Sequence, residues 1–163
     1  MRRMTLTLIC LALALVAGGC GGGSSDDASR EAFAAADRYA IGQLQVKWHE
    51  ANSTKDLDLA MSLFADDAVM TLGGQTYRGQ DQIRGFFTTR AGSFKPENNW
   101  TSLHPAFKVR ITAVEDRGTI HFECHYVDRE SRQFMASVLA DARVARFDDR
   151  WMFTSLVGAN ATL

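Results

Sequence analysis

The sequence predicts an α+β domain in which helices come first and an antiparallel sheet follows. In the first part of the domain, apolar residues recur at steps of three and four, which is the spacing of a helix that buries one face. From Trp100 onward, apolar and polar residues alternate, as they do in a strand that buries one face. Helices followed by strands and short turns are typical of helices packed on one face of a curved sheet.

Two helices are predicted at the start of the domain. The first runs from about residue 29 to residue 51, and its apolar stripe comprises Phe33, Ala36, Ala40, Leu44, Trp48 and Ala51. Ser53 and Asp56 then form the S-x-x-D pattern of a helix start, which makes Ser53 the expected N-cap of a shorter second helix. The apolar face of that helix comprises Leu57, Ala60, Met61 and Phe64.

A hairpin and a third helix come next. Residues 68–72 read as a strand, and Gly73-Gly74 provides a turn into residues 75–78. Gly79 opens a short helix that carries Ile83, Phe86 and Phe87.

The remaining residues predict four strands. In the first, Phe107, Val109, Ile111 and Ala113 alternate with polar residues, and in the second Ile120, Phe122, Cys124 and Tyr126 do the same. Residues 133–147 are long enough for one bent strand, and residues 151–157 form the last. Because the second strand should turn its apolar residues toward the helices, His121, Glu123 and His125 are expected to point outward.

The beginning of the sequence predicts secretion and lipidation. Arg2 and Arg3 precede an uncharged, mostly apolar run over residues 4–17, and Gly18-Gly19-Cys20 follows. This order is that of a secretory signal, and the run is shorter than the roughly 20 residues of a membrane-spanning helix. The segment resembles a bacterial lipobox, in which small residues precede a cysteine that is acylated. Ordinary cleavage near Gly19, with Cys20 unmodified, is the alternative.

The predicted organisation is therefore a signal over residues 1–19, a lipidated cysteine with a flexible tether over residues 20–28, and one domain over residues 29–163. The Gly/Ser-rich residues after Cys20 are typical of a spacer. An acylated Cys20 would hold the domain on the extracytoplasmic side of a bacterial membrane, with the lipid bilayer as a partner.

Charge and cysteine usage argue against nucleic-acid binding and against an internal disulfide. The formal net charge is −1 at pH 7, so no basic excess favours nucleic acid as a partner. The chain has three cysteines. Cys10 would leave with the signal and Cys20 would be acylated, so Cys124 has no partner for an internal disulfide. No cofactor and no metal site are predicted.

Residues 39–157 resemble the SnoaL-like branch of the NTF2-like superfamily. The resembling stretches are Trp48-x-x-Ala51-Asn52-Ser53-Thr54-Lys55-Asp56, Leu63-Phe64-Ala65-Asp66-Asp67-Ala68-Val69, Tyr77-Arg78-Gly79-x-x-x-Ile83, His104 before an alternating strand, and Leu139-x-Asp141-x-x-x-x-Arg146-x-x-x-x-Trp151. The resemblance implies a cone in which a curved sheet and about three helices on its concave face enclose a pocket. Family members include dehydratases, isomerases, cyclases, epoxide hydrolases and non-catalytic binders, and many form homodimers through the sheet, so the fold does not select a function.

His104 is the candidate catalytic residue. It falls where dehydratases similar to scytalone dehydratase have a histidine in their cavity. The aspartate of those enzymes corresponds to Ser53 here, and their tyrosines correspond to Asn52 or Trp48. An imidazole can exchange a proton near neutral pH, but it needs an orienting acid, which Ser53 cannot supply. A structural His104 at the rim of the cone is the alternative.

Two further sets of polar residues are candidates for a site. His121, Glu123 and His125 could bind a metal or share a proton, but a solvated or interface face gives the same alternation. Asp141 and Arg143 are two residues apart on one strand face, which favours a structural ion pair over a catalytic one.

Two functions follow. In the first, the domain binds a small apolar ligand, or a protein partner through its sheet. In the second, it is a dehydratase- or isomerase-like enzyme with His104 as general base. The pocket is expected to be bounded by Trp48, Phe64, Met70, Tyr77, Phe86, His104 and Tyr126. A carboxylate within hydrogen-bond reach of His104 inside the cone would favour the enzyme.

Overall fold

A computed structural model describes residues 25–160 and confirms the α+β class. The helices are α1 (Ser25–Thr54), α2 (Leu57–Met61) and α3 (Gly79–Thr89), and a single 3-10 turn follows at Gly92–Phe94. The strands are β1 (Phe64–Leu72), β2 (Gln75–Arg78), β3 (Trp100–Ser102), β4 (Phe107–Val114), β5 (Arg117–Asp128), β6 (Phe134–Phe147) and β7 (Arg150–Asn160). The predicted signal and Cys20 lie outside the described residues.

The strands form one seven-stranded sheet in the order β2-β1-β7-β6-β5-β3, with β4 also paired to β5. Strands β4 to β7 form the antiparallel meander that the alternation predicts. The sheet is mixed rather than wholly antiparallel, because β1 runs parallel to β7. This pairing brings the first strand of the chain beside the last, so the helices between them can cover one face of the sheet.

The hairpin follows its prediction closely. Gly73 and Gly74 both have positive φ, at 58° and 78°, as the favoured two-residue hairpin turn requires. The turn pairs Leu72 with Gln75, and α3 begins directly after β2.

The boundaries of the first two helices differ from the prediction. Helix α1 begins at Ser25, so the last residues of the predicted tether are helical, and it continues to Thr54. Ser53 therefore lies inside α1, where its hydroxyl accepts a hydrogen bond from the Ser102 amide at 2.9 Å. Asp56 is the N-cap of α2, because its carboxylate accepts from the Leu59 amide at 2.8 Å. Helix α2 ends at Met61, which leaves Phe64 in β1.

Only the second half of α1 is covered by the sheet. Leu44, Trp48 and Ala51 are buried as predicted, whereas Phe33 is 73% exposed. The apolar stripe of α1 therefore extends past the part of the helix that the sheet covers. None of the helices within residues 25–160 is both long and apolar enough to cross a membrane.

The core lies between the sheet and the three helices. Trp48, Phe64 and Trp151 are all buried, which confirms their predicted positions. Trp48 makes edge-to-face contacts with four phenylalanines, which are Phe64, Phe87, Phe122 and Phe153. Cys124 is a buried free thiol within the described domain.

Candidate functional site

A cavity of about 750 Å³ opens between the inner face of the sheet and the helices α1 and α3. Its aromatic wall comprises Trp48, Tyr77, Phe86, Phe87, Trp100, Tyr126 and Phe134. Leu72, Met135, Ala136 and Val138 add aliphatic surface, and Asn52, Gln75, Arg90, Ser93 and Ser137 are the polar side chains of the lining. The volume is within the roughly 300–1,000 Å³ of typical small-molecule sites, which are likewise mostly apolar.

The structure brings four of the predicted pocket residues together on this wall, namely Trp48, Tyr77, Phe86 and Tyr126. Phe64 and Met70 do not line it, because both are fully buried in the core. His104 does not line it either, because it is exposed in the connection between β3 and β4.

The wall is built from elements whose sequence patterns fix their inner faces. Trp48 lies on the covered face of α1, and Tyr126 ends the buried series of β5 that begins at Ile120. The hairpin turns Tyr77 toward α3, where its ring lies 5.0 Å from the ring of Phe86.

Trp100 completes the wall because Gly92 allows it to approach. A Cβ atom at Gly92 would lie only 2.6 Å from the indole of Trp100, which is closer than two carbon atoms can come without displacement. Glycine at this position therefore determines the shape of the cavity.

Most of the deep polar groups of the cavity satisfy one another, whereas the buried Ser137 Oγ has no hydrogen-bond partner among the described residues. Trp48 Nε1 donates to Tyr126 Oη at 3.2 Å. Ser93 Oγ donates to Asn52 Oδ1 at 2.6 Å, and Asn52 Nδ2 donates to the Trp48 carbonyl at 2.8 Å. Burial raises the pKa of Tyr126 well above its ordinary value, so its hydroxyl stays neutral.

The mouth of the cavity, unlike its deep wall, is lined by solvent-exposed side chains. Arg90, Gln75, Phe134 and Met135 are exposed lining residues. Gln75 Oε1 accepts a hydrogen bond from Tyr77 Oη at 3.0 Å and a second from Arg90 Nη1. Arg90 is the charged side chain of the lining in the described domain, and no histidine, aspartate or glutamate is found there.

His104 lies in the connection between β3 and β4, where it is exposed. Its ring is 5.5 Å from that of His49 on α1, measured between centroids. Between residues 25 and 160, no carboxylate lines the cavity or forms an ion pair with His104. The arrangement that would favour a His104-dependent enzyme is therefore not found.

His49 is a buried histidine that no sequence pattern indicated. Its Nδ1 contacts Ser102 Oγ, and its Nε2 lies 3.5 Å from Cys124 Sγ. Burial lowers the pKa of His49 to about 4, with the nearby His104 and His125 adding to the effect. Burial also raises the pKa of the Cys124 thiol to about 12. This cluster is thus neutral at pH 7, and it lies outside the cavity lining.

His121, Glu123 and His125 alternate along β5 with Tyr126 and the other inner residues, as predicted, but this face is not solvated there, since Glu123 is buried and both histidines are only partly exposed. Glu123 pairs with Lys108 at 2.9 Å, and His121 Nδ1 lies 2.7 Å from Asp141 Oδ1. Asp141 therefore contacts His121 rather than forming the predicted ion pair with Arg143. Residues 25–160 hold no group of three or more histidine, cysteine, aspartate or glutamate side chains suited to a metal ion.

Several residues in the cavity wall or behind it had only weak sequence signals. His49 and Asn52 belong to the covered face of α1, since they lie one and four positions after Trp48. Ser93 and Arg90 come from the irregular segment after α3, where no periodicity identifies an inner face. Their role in the wall follows from tertiary contacts alone.

Comparison with known proteins identifies the family. Residues 34–157 match the SnoaL-like domain family. No curated protein sequence matches the chain significantly.

Solved structures share the fold at low sequence identity. One is a protein of unknown function with a cystatin-like fold from Nostoc punctiforme, with a TM-score of 0.69 and 16% identity over 78% of this chain and 92% of that one. An NTF2-like protein from Novosphingobium aromaticivorans has a TM-score of 0.68 and 16% identity over 85% and 91%. The hexachlorocyclohexane dehydrochlorinase LinA-type3 from Novosphingobium barchaimii has a TM-score of 0.62 and 21% identity over 83% and 91%.

Proposed function

The chain belongs to the family of SnoaL-like domains, and from that premise we propose that it binds one small, mostly apolar molecule in the cavity between its sheet and its helices. The observation that carries the proposal is the composition of the cavity wall. Apolar side chains supply most of it, seven of them aromatic, and the deep polar groups of Trp48, Tyr126, Asn52 and Ser93 already have partners. Transfer of an apolar ligand from water to such a wall is favourable because it buries apolar surface on both sides.

The enzyme alternative receives less support from the same wall. General acid–base catalysis needs a titratable side chain within hydrogen-bond reach of the substrate. Within residues 25–160 the lining contains no carboxylate or imidazole, and His104 is exposed outside it. The likeness to LinA-type3 supports the fold, and its dehydrochlorinase activity belongs to that protein.

The alternative of a protein partner on the sheet also has some basis. Phe107 and Val157 are 46% and 56% exposed on the sheet. Nothing in the structure indicates what would cover them, whereas the cavity has both the volume and the wall of a ligand site.

The proposal is tested by closing the cavity. Ala136 pairs with Tyr126 across the sheet and lines the cavity, so Ala136→Phe should fill the space with little change in melting temperature. Naphthamide is a suitable neutral probe, and its binding to the full chain can be measured by isothermal titration calorimetry. The blank is a titration of naphthamide into the same detergent solution without protein. We expect wild-type protein to bind it and Ala136→Phe to lose at least about tenfold in affinity, equivalent to 1.4 kcal/mol.

The matched control is Ala159→Phe. Ala159 is exposed on β7 and does not line the cavity, so this variant should bind naphthamide as wild type does. Absence of binding by wild type, or equal binding by both variants, would contradict the proposal.

We propose further that Cys20 tethers this domain to the extracytoplasmic face of a bacterial membrane. The support is the order of basic residues, apolar run, small residues and cysteine at the start of the sequence. Cys20→Ser should abolish incorporation of labelled palmitate and release the domain or leave an unprocessed precursor. Cys10→Ser is the matched control and should retain the label, whereas an unmodified mature N-terminus at another residue would refute the tether.

A further inference from the structure

We propose that the ligand of this cavity is an apolar carboxylate, with its anionic group paired to Arg90 and its apolar body against the aromatic wall. This inference rests on the proposed function and specifies the ligand class.

Arg90 lies where a ligand head group would emerge from the cavity. It follows the end of α3 and lines the cavity while remaining exposed to solvent. The deeper wall is formed by buried side chains such as Trp48 and Tyr126. A ligand with its apolar body inside would therefore present its polar end beside the guanidinium.

No carboxylate neutralises Arg90 within residues 25–160. By contrast, Arg38, Arg84 and Arg146 each pair with an aspartate or glutamate. The partner of Arg90 is the neutral side chain of Gln75, whose oxygen accepts one of its N–H groups. A guanidinium has further N–H donors in a planar fork that matches a carboxylate, so Arg90 can bind one without losing Gln75.

Gln75 also restricts where the guanidinium can lie. The same Oε1 atom accepts from Tyr77 Oη at 3.0 Å, and the Tyr77 ring packs on Phe86. Arg90 is thereby connected to two aromatic residues of the wall. This arrangement holds the cationic group beside the apolar surface that would receive the ligand body.

The remainder of the wall disfavours a cationic ligand. An amine would meet the positive charge of Arg90, and the described lining offers no acidic side chain to compensate. A neutral ligand can offer the guanidinium a carbonyl or hydroxyl acceptor but no opposite charge. Only an anion adds an opposite charge to the hydrogen bond, and a carboxylate can accept two N–H groups in parallel.

Naphthoate and naphthamide test the inference because they have nearly the same shape and differ in charge. We expect the wild-type full chain to bind naphthoate about tenfold more tightly than naphthamide, the size of one hydrogen bond to a charged group. Arg90→Gln should reduce that preference to within about twofold, because naphthoate should lose more affinity than naphthamide. Arg90→Lys should retain part of the preference, since it keeps the charge but loses the fork.

Arg84→Gln is the matched control. Arg84 lies on the same helix and loses the same charge, but it pairs with Asp58 and does not line the cavity. The Arg84→Gln protein should prefer naphthoate over naphthamide by the same factor as wild type. Equal binding of the two probes by wild type, or an unchanged preference in Arg90→Gln, would overturn the carboxylate assignment while naphthamide binding still supported the proposed function. If the wild-type protein binds neither probe, both proposals are overturned.

Discussion

The two ends of the space between helices and sheet begin from similar side chains but are filled differently. Small residues occupy the inner face of β6 at both ends, with Ala140 opposite Phe122 and Ala136 opposite Tyr126. At the closed end, Phe64, Phe122 and Phe153 belong to the same core cluster as Ala140 and are fully buried. At the open end, the aromatic side chains line the space without filling it, which leaves a cavity.

The comparison teaches that the position of the large side chains, more than their number, separates core from cavity. Trp48 belongs to both ends, since it contacts four phenylalanines in the core and also lines the cavity. Its indole N–H is satisfied by Tyr126, so the tryptophan can separate a dry core from a ligand site without an unpaired polar group.

The largest expected effect is at the closed end. Phe64→Ala should lower the free energy of unfolding by about 3–5 kcal/mol, because it leaves a void among Trp48, Phe87 and Phe153. Chemical denaturation would measure the loss. A near-wild-type value would mean that the closed end can collapse around the missing ring, and that the two ends are not packed differently.

His49 should give a pH-dependent effect of intermediate size. Its pKa is lowered to about 4 in the folded protein, whereas an unfolded histidine titrates near 6.5. Between these values the unfolded chain binds more protons, so stability is fully present above about pH 6.5 and falls as the pH decreases. The loss by pH 4 should approach about 3 kcal/mol, at 1.36 kcal/mol for each pKa unit.

His49→Gln provides the comparison for that titration, because its amide keeps a donor and an acceptor but does not titrate in this range. The stability of this variant, whatever its absolute value, should depend less steeply on pH between 6.5 and 4 than that of wild type. Equal slopes from denaturation at several pH values would show that other groups cause the acid sensitivity.

The sequence predicted those parts of the molecule in which periodicity coincides with burial. The inner residues of β5 and the second half of α1 could be identified because each buries one regular face. The exposed Phe33 could not, since a helical stripe does not show where the covering sheet ends. Likewise, the position of His104 depends on the path of the irregular segment between β3 and β4, which no local pattern specifies.

The candidate site was predictable to a similar extent. Trp48, Tyr77, Phe86 and Tyr126 belong to regular elements, and the structure brings them to one cavity. Arg90 and Ser93 lie in or beside the segment after α3, and their contacts join residues far apart in the sequence. Because those contacts form only in the folded chain, the charge at the mouth became apparent only with the structure.

The smallest expected effect on stability, and the sharpest contrast with Phe64, comes from Phe86→Ala. The Phe86 ring is half-buried and contacts Tyr77 and Phe87 on the cavity wall, so its removal enlarges a space that is already open. We expect a loss of only about 1–2 kcal/mol in unfolding free energy, since less apolar surface is exposed than at a filled position. Naphthamide affinity should nevertheless fall by about tenfold, because the ligand loses one side of its aromatic enclosure. Calorimetric titration and denaturation of the same preparation would measure both quantities. A stability loss as large as that of Phe64→Ala with unchanged ligand affinity would identify Phe86 as a core residue and remove the distinction between the two ends.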